Sequence, residues 1–120
     1  MPNYIQIAEV LFRFTQDRVW LLKQLPSANL AADHLATLIT SEGGVKGAGY
    51  YVERPTRIEF DGVSQCHAVD AFRRLAELNA IAANDEAAKK CRERANRVEA
   101  HFRTRFWLQG RFVEIGRAHV

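Results

Sequence analysis

The sequence predicts an all-α protein of about four helices, arranged as two antiparallel helical hairpins joined by a long structured loop. Three observations predict this fold class. Apolar side chains recur at the spacing of one helix face on both sides of the loop. Turn and cap residues interrupt these helical segments around residues 15–17 and 84–85. Apart from residues 57–60, no segment alternates polar and apolar residues convincingly with the period of a strand.

The first hairpin begins with a helix predicted over residues 4–14, followed by Thr15 and Asp17 as turn and N-cap residues. A short turn is expected next, and Pro26 should break it because proline lacks the amide hydrogen that a helix interior needs. Ser27 is then the predicted cap of a second helix, which Gly43 and Gly44 should end. The expected buried stripes are Tyr4, Ile7, Ala8, Leu11 and Phe14, then Leu30, Ala31, Leu35, Leu38 and Ile39.

The second hairpin is predicted to start at a helix capped by Asp61 or Ser64. Asn84 and Asp85 form the predicted break, and acidic residues in the next first turn suit the helix dipole. Gln109-Gly110 suggests a turn into a short extended piece. The expected buried stripes are Ala68, Ala71, Phe72, Leu75, Leu78 and Ala82, then Ala87, Cys91, Ala95, Val98, Phe102 and Phe106.

The loop over residues 43–64 is the strongest indication of a site. It has no helical period and collects two tyrosines, two arginines and three carboxylates between glycines. Connections this long inside a compact domain are usually functional or disordered. The apolar residues of this loop argue against disorder, because disordered segments lack such anchors.

Paired carboxylates in different environments are the minimum equipment for glycoside hydrolysis. The candidate catalytic residues are Glu53 and Asp61. An aromatic wall would raise the pKa of the proton donor, and arginines would hold hydroxyls or a carboxylate. The candidate substrate-binding residues are Tyr50, Tyr51, Arg54, Arg57 and Gln65. Structural alternatives remain open, because Glu53 also suits an ion pair within the loop and Asp61 suits a helix N-cap.

The histidines and cysteines predict no metal site and no cofactor. His67 has no ligand partner at i+4, so a core or supporting histidine is the expectation. Cys66 and Cys91, the two cysteines, lie in helical segments without metal-ligand spacing. They are expected to be buried thiols in a reducing compartment, which favours a cytoplasmic protein.

Composition excludes two classes of partner. The net charge is only +3, and the 17 basic and 14 acidic residues are interspersed, whereas a nucleic-acid surface needs concentrated basic residues. With 48% hydrophobic residues the chain is expected to fold into a globular domain, and no apolar run approaches the roughly 18 residues that span a membrane.

The carboxyl-terminal residues 114–120, EIGRAHV, match the translation of a common short-read sequencing adapter. Residues 115–120 are therefore expected to be non-native, which leaves residues 1–114 as a partial domain. The chain is expected to be a fragment of a longer protein.

Two stretches resemble the six-hairpin (α/α) barrel glycosidases. Residues 15–39, TQDRVWLLKQLPSANLAADHLATLI, are similar to that family's recurrent Thr-x-Asp, aromatic–Leu pair and helix-opening proline. Residues 70–114 resemble the hairpin of amylo-1,6-glucosidase and glycogen-debranching-like enzymes that ends in a Phe-Trp pair, here Phe106 and Trp107. The family's tryptophan-rich motif before the acid is replaced here by the two tyrosines of the loop.

The resemblance implies an inverting glycoside hydrolase that acts on an oligosaccharide or glycoside with two carboxylates on different loops. The partner of Glu53 or Asp61 would then lie on one of the helical hairpins missing from this fragment, so the fragment alone should be inactive. An alternative is a helical-repeat module that binds other proteins, although a period near 34 residues is absent. A small regulator that binds nucleic acid is the least favoured class.

Overall fold

The computed structural model describes residues 2–46, 62–108 and 111–112 and confirms an all-α fold of four helices. The helices are α1 (Pro2–Thr15), α2 (Arg18–Ala36), α3 (Gly62–Ile81) and α4 (Asp85–Phe106). Two-residue strands, β1 (Trp107–Leu108) and β2 (Arg111–Phe112), pair antiparallel after α4, in agreement with the predicted turn and short extended piece.

The turn between α1 and α2 forms as predicted. Asp17 is the N-cap of α2, and its side-chain oxygen accepts a hydrogen bond from the amide of Trp20 at 3.1 Å. This bond satisfies one of the four amide groups that a helix start leaves without a partner.

The predicted break at Pro26 is wrong, because α2 runs without interruption from Arg18 to Ala36 and contains Pro26. Ser27 is therefore inside the helix and caps nothing. The buried residues of α2 continue through the proline at spacings of four and three residues: Leu21, Leu25, Ala28, Ala32 and Leu35. Packing of this continuous stripe outweighs the one backbone hydrogen bond that proline removes.

The predicted helix end at Gly43 and Gly44 is also wrong. Helix α2 ends at Ala36, and an antiparallel bridge between Ile39 and Val45 follows it. Gly43 occupies the turn of this bridge with φ of +102°, a backbone conformation that glycine adopts readily. A Cβ atom there would lie 3.0 Å from the carbonyl oxygen of Arg97, so glycine also permits the close approach of α4.

Helix α1 buries a different face from the predicted one. Its buried residues are Ile5, Ala8, Glu9 and Phe12. Only Ala8 of the predicted stripe is buried, and Tyr4, Ile7, Leu11 and Phe14 are exposed. In α2 the predicted stripe is partly wrong as well. Leu35 is buried as predicted, but Leu30 is 71% exposed.

Helix α3 is the central helix, since it contacts α1, α2 and α4. Its predicted stripe is confirmed within the helix. Ala82, the last residue of the predicted stripe, lies just after the helix and is partly buried. Ser64 is the third residue of the helix and so is not its cap. A reciprocal pair of amide hydrogen bonds, 2.8 and 3.0 Å long, joins the buried Asn79 to Asn29 of α2.

Helix α4 starts as predicted, with Asp85 and Glu86 in its first turn and Asn84 accepting a long hydrogen bond from the amide of Ala87. Its core residues are Ala88, Cys91, Ala95 and Val98. Ala88, not the predicted Ala87, is thus the fully buried alanine of the first turn.

Candidate functional site

Most predicted site residues lie outside the described part of the chain. For that reason the roles predicted for six of them stay predictions: Tyr50, Tyr51, Glu53, Arg54, Arg57 and Asp61. Asp61 immediately precedes α3, which begins at Gly62. Gln65 is the predicted site residue that the structure describes.

Gln65 is fully buried, and its side-chain amide both donates a hydrogen bond to the backbone of Val45 and accepts one from it. Its amide nitrogen donates to the Val45 carbonyl at 2.8 Å, and its amide oxygen accepts from the Val45 N–H at 2.7 Å. Val45 precedes segment 47–61 and Gln65 follows it. Two points of the chain that lie on either side of this segment are therefore held close together.

A surface pocket of about 370 Å³ lies between α3 and α4 beside this anchor. Its volume is within the range that small-molecule sites occupy. Val69 and Phe102 supply an apolar wall, and the rest of the lining consists of charged side chains together with Gln65 and Cys66. The described lining residues are Gln65, Cys66, Val69, Asp70, Arg73, Glu99, Phe102 and Arg103.

Glu99 holds two arginines on one side of this pocket. Arg73 of α3 donates to one of its carboxylate oxygens, and Arg103 donates to the other at 3.1 Å. The hydrogen bond from Arg73, followed by that from Arg103, lowers the pKa of Glu99 below its ordinary value. Glu99 is thus ionised near neutral pH. It can accept hydrogen bonds and hold the two arginines in place, but it is not suited to donate a proton.

The lowered pKa of Glu99 predicts an acid-sensitive contribution to stability. Because the folded-state pKa is depressed, this contribution is present above the unfolded-state pKa and is lost as pH falls through the folded-state pKa. We expect Glu99→Gln to reduce the loss of stability on acidification below pH ~4.3. Urea unfolding of the wild type and the variant at several pH values measures this difference. An identical pH dependence of the two proteins would contradict it.

A second polar cluster joins α1 to α3 next to the pocket. Gln6 donates to Asp70 at 2.8 Å, and its amide nitrogen lies 3.1 Å from Nδ1 of His67. Arg74 donates from Nε to Asp70 at 2.8 Å and from Nη1 to Glu9 at 2.9 Å. Asp70 belongs to this cluster and also lines the pocket, so it links the two groups of charges.

Glu9 is the buried member of this cluster, and the sequence predicted a role for neither Glu9 nor its charged partners. Its carboxylate is buried and accepts hydrogen bonds from Arg74 and from Arg13, one turn along α1. The i, i+4 spacing of Glu9 and Arg13 was visible in the sequence, but the burial of Glu9 depends on the packing of α1 against α3. His67 is a half-buried member of a polar interface and not a core residue.

The two cysteines differ in environment. Cys91 is buried as predicted, and burial raises the pKa of its thiol. Cys66 is exposed and lines the pocket, so the prediction that it is a buried thiol is wrong.

The described residues contain no group of three or more His, Cys, Asp or Glu side chains arranged to hold a metal ion. Among the same residues, no helix combines the length and apolar character needed to cross a membrane.

Comparison of the chain with protein-family models, with curated proteins and with solved structures found no match in any of the three. The functional interpretation therefore depends on the residues and geometry of this chain.

Proposed function

We propose that this chain is part of a carbohydrate-active enzyme of the six-hairpin type, an inverting glycoside hydrolase acting on an oligosaccharide or glycoside. The observation that carries the proposal is the pair of hydrogen bonds between Gln65 and Val45 beside the pocket between α3 and α4. The connection between these two residues contains the candidate acids Glu53 and Asp61.

The pocket has the chemical features that a sugar subsite needs. The side chain of Phe102 offers an apolar surface to the C–H face of a sugar ring. Arg73, Glu99 and Arg103 offer neighbouring donors and acceptors, which suit hydroxyl groups that both donate and accept. A mostly formed cavity with a few converging polar groups is the usual form of a small-molecule site.

The charge pairing around the pocket limits where the proton donor can be. Asp70 accepts hydrogen bonds from Arg74 and Gln6, and Glu99 accepts from two arginines. A general acid needs a raised pKa, which an arginine partner opposes. We therefore assign acid–base chemistry to Glu53 or Asp61, with the second carboxylate on another hairpin of the parent chain.

The proposed partners are a carbohydrate substrate and the remaining helical hairpins of the parent chain. The uncovered apolar residues of α1 support the second part, because a ring of hairpins would bury a helix face that two hairpins leave open. The cytoplasm remains the proposed compartment, because the sequence has only two cysteines and they do not form the disulfide framework of a small secreted protein.

The same uncovered face supports the alternative of a helical-repeat module that binds a protein partner. Such a module would use the α1 face and would not need the carboxylates of segment 47–61. Substitutions in the segment thus discriminate between the two functions.

The test is hydrolysis by the longer parent chain, measured as the release of reducing sugar from a panel of neutral oligosaccharides. Removing a general acid or base typically costs 10²–10⁴-fold in rate, so Glu53→Gln or Asp61→Asn should lower turnover by about that factor. Each variant must keep the circular dichroism spectrum and the unfolding midpoint of the wild type. Unchanged turnover in both variants would remove this segment from the chemistry.

A further inference from the structure

The exposed apolar residues of α1 form a continuous seam along one side of the helix. We call Tyr4, Ile7, Leu11 and Phe14 the α1 seam. Their exposed fractions are 41%, 59%, 47% and 83%. Spacings of three, four and three residues place them on one narrow stripe, the pattern by which one helix packs along another.

The charges of α1 leave this seam clear. The charged residues of the helix are Glu9 and Arg13, which are bonded to each other, and Glu9 is also bonded to Arg74. The seam thus presents no charged side chain of its own that would demand an oppositely charged partner. It suits an apolar helix face.

The seam has an internal symmetry. Aromatic residues stand at its two ends, Tyr4 and Phe14, and aliphatic residues, Ile7 and Leu11, stand in the middle. A two-fold axis that lies between two α1 helices, perpendicular to both and level with Glu9, would place Tyr4 against Phe14 of a second copy, and Ile7 against Leu11 of that copy. Such an antiparallel pairing is the self-complementary arrangement that a symmetric dimer requires.

The area of the seam indicates a weak association. At about 200 Å² for a large side chain, the exposed fractions leave roughly 450 Å² of surface on each copy. This is as large as the largest apolar patch on a typical monomer. Two copies would bury roughly 900 Å², which is at the low end for specific interfaces and corresponds to a weak, reversible dimer.

From these observations we infer that the α1 seam is a dimerisation surface, and that its occupant in this chain is the α1 seam of a second copy. The inference uses no residue of segment 47–61 or of the pocket. It concerns the 120-residue chain alone, because a missing hairpin of the proposed parent barrel would cover the same seam. A substrate-free protein is sufficient to test it.

The first experiment is sedimentation equilibrium of the full 120-residue chain over a range of concentrations. We expect dimers at hundreds of micromolar and monomers near 1 μM, as a weak interface implies. Ile7→Glu should raise the dissociation constant at least tenfold, because it places two carboxylates in the middle of the seam. Leu30→Glu is the matched control, since Leu30 is 71% exposed on α2 and lies outside the seam. It should leave the dissociation constant unchanged.

The second experiment tests the antiparallel pairing by disulfide cross-linking in a Cys66→Ser background. A mixture of Tyr4→Cys and Phe14→Cys chains should cross-link under mild oxidation. Tyr4→Cys alone should not, because the two copies of residue 4 would lie about 15 Å apart along the helix axis.

Three results would overturn the inference. A monomer at all concentrations would show that no second copy occupies the seam, and would leave the seam to a helix of a longer parent chain. Equal loss of dimers in Ile7→Glu and Leu30→Glu, both with the wild-type circular dichroism spectrum, would place the interface elsewhere. Efficient cross-linking of Tyr4→Cys alone would exclude the antiparallel pairing.

Discussion

Replacing Gln65 by alanine should lower the free energy of unfolding by about 3–5 kcal/mol. The substitution empties a fully buried site and removes both partners of the Val45 backbone groups. A buried N–H or C=O without a partner costs about 1–3 kcal/mol, and here both are affected. Urea unfolding followed by circular dichroism measures the change.

Gln65→Glu is the matched variant, because it keeps the size of the side chain and changes its donors. A protonated carboxyl group can donate to the Val45 carbonyl and accept from the Val45 N–H, whereas an ionised one can only accept. Burial raises the folded-state pKa of this new carboxyl group. The stability of the Gln65→Glu variant should therefore be near that of the wild type below pH ~4.3, the unfolded-state pKa. It should fall as pH rises toward the folded-state pKa of the new carboxyl group.

A small effect of Gln65→Ala, below about 1 kcal/mol, would mean that Gln65 does not anchor Val45. An absence of pH dependence in the difference between Gln65→Glu and the wild type would mean the same. Either result would also remove the main observation that supports the proposed function.

Replacing Arg74 by methionine should destabilise the fold by about 3 kcal/mol. Arg74 bridges Asp70 and the buried Glu9, so its loss leaves a buried carboxylate with only the exposed Arg13 as a partner. Removing one member of a buried ion pair typically costs more than the pair contributes, because the remaining charge stays desolvated. Equilibrium unfolding at neutral pH measures the loss.

Two controls separate the buried charge from the loss of packing. Arg13→Met removes the other arginine on Glu9, but Arg13 is 59% exposed, so it should cost less than about 1 kcal/mol. The double variant Glu9→Met, Arg74→Met removes both charges and should recover most of the stability. A double variant less stable than Arg74→Met alone would contradict this account of the cluster.

The sequence predicted the second hairpin better than the first, for a physical reason. Helix α3 makes most of the contacts between helices, and its one apolar stripe coincides with its buried face. Helix α1 has apolar residues on two faces, and sequence spacing alone cannot say which one faces the core. The longer and more regular stripe was the wrong choice, since Ile5, Ala8 and Phe12 are buried instead.

The helix boundaries in the first hairpin were missed because local signals competed with packing. Pro26 favours a break, but the buried stripe of α2 extends on both sides of it. Gly43 was predicted to end a helix, but it has a positive φ in the turn of the Ile39–Val45 bridge. A glycine in a sequence indicates that an unusual backbone conformation is allowed there, but it does not indicate whether a helix end or a turn adopts that conformation.

The candidate site was only partly predictable. The sequence directed attention to the connection before α3, and Gln65 at its end is a buried residue that ties down Val45. The charged cluster of Glu9, Asp70 and Arg74 could not be predicted, because Glu9 is 61 and 65 positions from the other two and meets them only when α1 packs on α3. The pocket depends on the packing of α3 against α4 in the same way.

The proposed activity is tested most directly by the anomeric configuration of the first sugar that the parent chain releases. Proton NMR during the early reaction distinguishes the two anomers before they equilibrate. Two carboxylates on different loops, separated widely enough to admit a water molecule, predict inversion of configuration. Release of the retained anomer would contradict the proposed mechanism, and the absence of hydrolysis across the oligosaccharide panel would contradict the proposed function itself.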